Sequence, residues 1–93
     1  MIEICRLHLF FEGTVQGVGF RFYTERAARR LDIAGFVRNL PNGAVEVVAE
    51  GKRKILDEFL SAIQTGNLSG YITGTEKIWE PPTGEFNDFG VRF

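Results

Sequence analysis

Nine residues near the N-terminus, Gly13-Thr14-Val15-Gln16-Gly17-Val18-Gly19-Phe20-Arg21, have the types and spacing that could do chemistry. Three glycines within the first seven of them break any regular pattern and mark a loop. From Phe20 onward the apolar residues recur with helical period, so the loop feeds a helix start. A helix start carries backbone N–H groups with no partner inside the helix. They converge where the macrodipole also favours negative charge. Arg21 stands at that start and adds a planar guanidinium that binds an oxyanion through paired N–H groups. A tetrahedral dianion suits such a cradle. A glycine-rich turn beside a surface arginine would look the same, and the bare pattern leaves both readings open. Two better-known phosphate loops are excluded. There is no Gly-Lys-Ser/Thr, and no G-x-G-x-x-G with a following acid on a second parallel strand, so an ATP or dinucleotide site is not expected.

Other chemically capable side chains are few. Asn39 precedes Pro41-Asn42-Gly43 and by itself reads either as a polar lead into a turn or as an amide offered to a ligand. His8 is the only histidine and has no carboxylate or serine partner in a triad pattern, so it is expected to be a packed or surface residue. Cys5, the only cysteine, falls on an apolar strand face and is expected to be a buried, inert thiol. One Cys and one His exclude a disulfide framework and a self-contained structural zinc site. Trp79 reads as packing. Arg26, Arg29 and Arg30 read as a solvated helix face, and Glu76, Glu80 and Glu85 as surface charges.

Periodicity supplies the elements that must hold the loop. Residues 5–12 alternate, with Cys5, Leu7, Leu9 and Phe11 on one face, as a half-buried strand does. From Phe20 the stripe Phe20, Tyr23, Ala27, Leu31 predicts a helix ending near Asp32. Residues 34–40 and 44–50 read as strands joined by an Asn-Gly hairpin, with Val45, Val47 and Ala49 facing one way and Glu46, Val48 and Glu50 the other. A second helix comes next, from Lys52 to Gln64, then a strand over 71–79 and a short last strand within 86–93. The order β-α-β-β-α-β predicts an α+β fold, a ferredoxin-like sandwich. Its antiparallel sheet carries two right-handed crossover helices on one face and a short extra C-terminal strand. The fold by itself says little about function.

The run Gly13–Arg21 resembles the first signature of the acylphosphatases, and Gly35-Phe36-Val37-Arg38-Asn39 with Gly43-Ala44-Val45 and Gly51 resembles their second. The spacing between the two, the element order, the chain length and the ending Phe89-Gly90-Val91-Arg92-Phe93 agree, so the resemblance covers essentially the whole chain. It implies hydrolysis of a carboxyl-phosphate anhydride to a carboxylate and inorganic phosphate, with no metal and no organic cofactor. On that resemblance Arg21 binds the phosphoryl group and Asn39 orients the attacking water. The backbone amides of Gln16, Gly17, Val18, Gly19 and Phe20 complete the cradle, and Thr24 is a less direct candidate. Some relatives carry a hydroxyl directly after the asparagine; here Leu40 stands there, so that hydrogen bond is missing. Neither signature supplies a carboxylate or His as a general base.

The context fits a small enzyme. The 93 residues are expected to form one domain over 1–93, and 44% hydrophobic and 13% aromatic residues, nine of them Phe, suffice for one core. Eleven basic against twelve acidic residues give a net charge of −1 and no global pull toward nucleic acid or anionic lipid. The charge is uneven: residues 1–38 hold six Arg against four acids, while 39–93 hold five basic against eight acidic. No long apolar run or leader pattern is visible, and a cytoplasmic monomer acting on a small molecule is expected. Two rivals share the fold. An RRM-like RNA-binding domain is suggested by Gly17–Tyr23, but that motif belongs on the third strand rather than at a loop and helix start. A carbamoyl-phosphate-handling module of larger maturation proteins carries the same signatures. A chain ending at Phe93 in its last strand favours a free-standing enzyme.

Overall fold

A computed structural model describes residues 3–93. Its elements are β1 (Ile4–Gly13), α1 (Phe20–Arg30), β2 (Ala34–Asn39), β3 (Val45–Lys52), α2 (Arg53–Thr65), a 3-10 turn (Ser69–Tyr71), β4 (Ile72–Glu80) and β5 (Phe89–Arg92). The sheet order is β4-β1-β3-β2-β5. β1 pairs antiparallel with β3 and β4, and the hairpin strands β2 and β3 pair antiparallel with each other. This is the ferredoxin-like arrangement. The extra strand runs parallel to β2, pairing Gly35 with Phe89 and Arg38 with Arg92, so the five-stranded sheet is mixed. The reason is geometric: the β4–β5 connection crosses the whole sheet to reach the far edge, which a hairpin could not do.

One face of the sheet and both helices share a single core. Leu7, Leu9 and Phe11 of β1 and Val45, Val47 and Ala49 of β3 are fully buried against Phe20 and Ala28 of α1 and Leu56, Phe59 and Ile63 of α2. The alternation of these strands and the 3.6-residue stripes of the helices produce that face directly. Cys5 departs from the expectation of a buried thiol. It lies near the start of β1, only half-buried, with its Sγ 3.7 Å from a Glu3 carboxylate oxygen. No helix among the described residues is long and apolar enough to cross a membrane.

The opposite face is not the open, solvated surface that the alternation of β3 implies. Val48, Glu46 and Glu50 are buried as well, though not as completely as the core side of the strand. The segment after β4 folds back onto this face at Glu50 and Phe36. Thr83 and Gly84 donate their backbone N–H groups to the Glu50 carboxylate at 2.8 and 3.1 Å, and Phe86 packs on Phe36 with ring centroids 5.9 Å apart. Glu80 and Glu85 are accordingly more than surface charges, since both pair with Arg6 at 3.4 Å. Trp79 is packed against the core as expected, with the Arg53 guanidinium 4.2 Å from its ring centroid.

His8 sits in the middle of this face, between two carboxylates. Its Nδ1 lies 2.9 Å from Glu80 and its Nε2 2.7 Å from Glu46, which also binds Arg38. Ionised carboxylates only accept, so both ring nitrogens must donate, which requires the imidazolium. Burial by itself would lower the His8 pKa, but the hydrogen bonds and charges of Glu80 and Glu46 outweigh it and hold the group above its ordinary range. Burial likewise would raise Glu46, and the hydrogen bonds and charges of His8 and Arg38 hold it below the usual carboxylate range. Stability from His8 is therefore fully present below its unfolded pKa of 6.5 and is lost as pH rises through the raised folded value. Stability from Glu46 is present above 4.5 and is lost as pH falls through its lowered value. His8→Gln is expected to lower unfolding free energy by about 1–3 kcal/mol near pH 5.5 and by clearly less near pH 9. Urea unfolding of both proteins at the two pH values checks this, and an equal loss at both would contradict it.

Candidate active site

The loop between β1 and α1 owes its shape to two glycines. Gly17 and Gly19 both adopt left-handed backbone, with φ of 81° and 82°. A Cβ at either position would meet nothing within 4 Å, so the demand is conformational rather than steric. A side chain held there costs about 1–2 kcal/mol. Gly19 is the N-cap of α1 and supplies no side-chain cap, and the first turn carries no acid. The helical ladder begins at Tyr23, whose amide donates to the Gly19 carbonyl at 3.0 Å. The amides of Phe20, Arg21 and Phe22 therefore emerge without helical partners, at the positive end of the dipole.

β2 ends beside this loop. A cleft of about 260 Å3 is lined by Val15, Gly17, Gly19, Phe20, Arg21, Phe22 and Asn39. The sheet order makes the meeting possible: the β1–α1 loop and the end of β2 come together at one edge of the fold although eighteen positions separate Arg21 from Asn39. The Asn39 Oδ1 is buried and no protein donor reaches it. An amide oxygen left in that state costs about 1–3 kcal/mol of folding free energy, a cost that makes sense where a ligand or a water completes it.

Arg21 is held at its far end. Its Nη1 donates to the Arg92 carbonyl at 3.1 Å, and its guanidinium lies 4.6 Å from the centroid of the Phe93 ring. Among the described residues no carboxylate pairs with it. A guanidinium anchored by a carbonyl and a ring keeps its full charge for an anion, and its remaining N–H groups stay available. No Asp, Glu or His lines the cleft, and Arg21 is the one charged residue among its lining.

The side chains of two residues whose backbone amides are expected in the cradle lie elsewhere. The Gln16 side chain is turned away from the cleft, and its Nε2 donates to the carbonyls of Leu40 at 2.8 Å and Ala44 at 2.9 Å. It pins the loop to the β2–β3 hairpin one residue beyond Asn39. Leu40 thus serves through its backbone at the position where a hydroxyl is absent. Val18 packs its side chain against the core and does not line the cleft. Thr24 is fully buried one turn into α1; its Oγ1 has no partner and it does not reach the cleft lining. Phe22, Arg92 and Phe93 were not singled out in the sequence as part of the site. The parallel pairing of β5 with β2 brings the last two to Arg21, and a contact 71 residues away in the chain leaves no local trace. Larger depressions exist, one of about 420 Å3 near Trp79 and Pro82, but they lack converging amides.

Comparison with known proteins addresses the same loop and strand. The acylphosphatase family model matches residues 7–91. The chain belongs to the acylphosphatase family. It is 37% identical to an acylphosphatase of Roseiflexus sp. (strain RS-1) over 98% of both chains. It is 47% identical to an acylphosphatase of Archaeoglobus fulgidus over 75% of this chain and 79% of that one. The crystal structure of the acylphosphatase from Bacillus subtilis superposes with a TM-score of 0.88 at 28% identity, covering 96% of this chain and 99% of that chain. Family membership makes this chain a hydrolase of the acylphosphatase type. The Gly17–Tyr23 run, which also suggested an RNA-binding motif, lies on the site loop and on α1 rather than on a strand, so it forms no stacking platform on the sheet.

Proposed function

We propose that the chain works as one acylphosphatase-like domain that hydrolyses the carboxyl-phosphate bond of acyl phosphates, with Arg21 and the loop amides holding the phosphoryl group and Asn39 orienting the water. The observation that carries this reading is the cleft lined together by Arg21, whose guanidinium has no carboxylate partner among the described residues, by the glycines of a loop that opens a helix, and by Asn39, whose buried amide oxygen has no protein donor.

The reaction asks for little else. Water attacks phosphorus, a new P–O bond forms, and the bond from phosphorus to the carboxylate oxygen breaks with its electron pair leaving on the carboxylate. A carboxylate departs without needing a proton from a general acid. The transferred phosphoryl passes through a loose transition state with charge on its equatorial oxygens. Arg21 and the amides of Gln16 to Phe20 meet that charge with donors already oriented, each well-placed donor contributing about 2.7–4 kcal/mol. The Asn39 Oδ1 accepts one water O–H and sets the oxygen in line with the breaking bond. One water proton remains on the new phosphate; the other passes to a phosphoryl oxygen. With no Asp, Glu or His in the cleft lining, the substrate serves as its own base.

Phosphate release from acetyl phosphate and benzoyl phosphate, followed with and without EDTA, tests the proposal. Release from both, unaffected by the chelator, is expected. Absence of release from both substrates would overturn the proposed function, and loss of release with EDTA would overturn the metal-independent scheme.

A further inference from the structure

Among the described residues five large apolar side chains stand exposed, and two of them flank Arg21. Phe93 is 94% exposed but has one ring face against the Arg21 guanidinium. Phe22 is 52% exposed, lines the cleft and has neither an aromatic nor a cationic partner among the described residues. A single exposed phenylalanine on a helix is ordinary. One that forms a wall of the cleft beside the anion-binding guanidinium is placed against whatever the anion carries. The other apolar lining residues, Val15 and Phe20, are each 1% exposed and spend their surface in the core.

We propose that Phe22 is a specificity-determining residue that receives the acyl group, and that acyl phosphates with an aromatic acyl group are favoured over small ones such as acetyl or carbamoyl phosphate. This inference rests on the function proposed above. A phosphoryl group held by Arg21 and the loop amides leaves only a bridging oxygen between phosphorus and the acyl carbon. The substituent on that carbon must therefore lie within reach of Arg21's immediate neighbours. In-line attack assigns the water to the side of phosphorus opposite the acyl group, so Asn39 and the acyl group occupy different parts of the cleft. Within it, Phe22 alone offers apolar surface that is still in contact with water. An aromatic acyl group covers that surface and gains offset or edge contact with the ring. A methyl or amino group covers little of it.

The test compares kcat/KM for benzoyl and acetyl phosphate in the unaltered protein, Phe22→Ala and Phe22→Tyr, with thermal unfolding as a check on the fold. In Phe22→Ala the ratio of benzoyl to acetyl kcat/KM is expected to fall about five- to tenfold, through KM rather than kcat. Phe22→Tyr, which keeps the ring, is expected to restore it. Should Phe22→Ala unfold, Phe22→Leu carries the same comparison, because it keeps the helix while losing the ring. A ratio that does not move, or an equal loss on both substrates, would overturn the inference and leave the proposed hydrolysis standing. An unaltered protein inactive on both substrates would overturn the proposed hydrolysis first, and this inference with it.

Discussion

Arg21→Ala is expected to lower turnover of acetyl phosphate by about three orders of magnitude or more, the size of effect seen when a charge-stabilising arginine is lost in phosphoryl transfer. It is also expected to weaken inorganic phosphate, measured as a competitive inhibitor of residual activity or by calorimetry, by about ten- to a hundredfold. Both effects follow from the same geometry. The guanidinium has no carboxylate partner among the described residues, so its charge is met only when an anion binds. Its anchors are the Arg92 carbonyl and the exposed Phe93 ring, neither of which is left charged or buried by the change. Folding stability should therefore stay within about 0.5 kcal/mol of the unaltered protein. Arg21→Lys keeps a point charge without the planar fork, and partial recovery of phosphate binding with little recovery of turnover is expected. Unchanged phosphate affinity in a folded Arg21→Ala would remove Arg21 from the role assigned to it.

Asn39→Ala is expected to separate binding from turnover. The loss in kcat should be about a hundred- to a thousandfold, the range for removing one well-placed polar group in a preorganised site, while phosphate affinity changes by less than about threefold. The folded protein adds a second readout. The Asn39 Oδ1 is buried without a donor, so its removal relieves an unpaired polar group rather than breaking a hydrogen bond. The alanine variant should be at least as stable as the original, by up to about 1 kcal/mol, in urea unfolding. A variant that is inactive and clearly less stable would indicate a structural role at the end of β2. Abolished phosphate binding in a folded protein would contradict the division of labour between the two residues.

The parts of this molecule that follow local rules were legible from the chain. Period-2 alternation in residues 5–12, period-3.6 stripes after Phe20 and Ile55, and the Asn42-Gly43 turn act over a few residues, and the observed elements differ from those expectations only at their ends. The order of elements then leaves few ways to build the sheet, which is why the ferredoxin-like arrangement matched expectation. The glycines of the loop were legible for a related reason, since left-handed backbone at Gly17 and Gly19 is a property of the residue type.

Contacts between distant segments were not legible. His8 had no visible carboxylate, yet Glu46 and Glu80 lie 38 and 72 residues away and flank it because β3 and β4 are the two neighbours of β1. Glu50 read as an outward charge until the 81–88 segment laid two amides on it. Gln16 was read through its backbone, and its side chain proved to be the tie between the loop and the β2–β3 hairpin.

By itself, then, the sequence determined the strand and helix order, the anion-seeking loop with its arginine, and the family, all of which depend on residue type and short spacing. Only the tertiary structure decided that Asn39 lines the same cleft with its buried amide oxygen unpaired, that β5 runs parallel to β2 and anchors Arg21, and that Phe22 is the exposed apolar wall beside it. The physical reason is that side-chain direction and solvent exposure at a site are set by which strands become neighbours, and that is a property of the whole packed sheet rather than of any window along the chain.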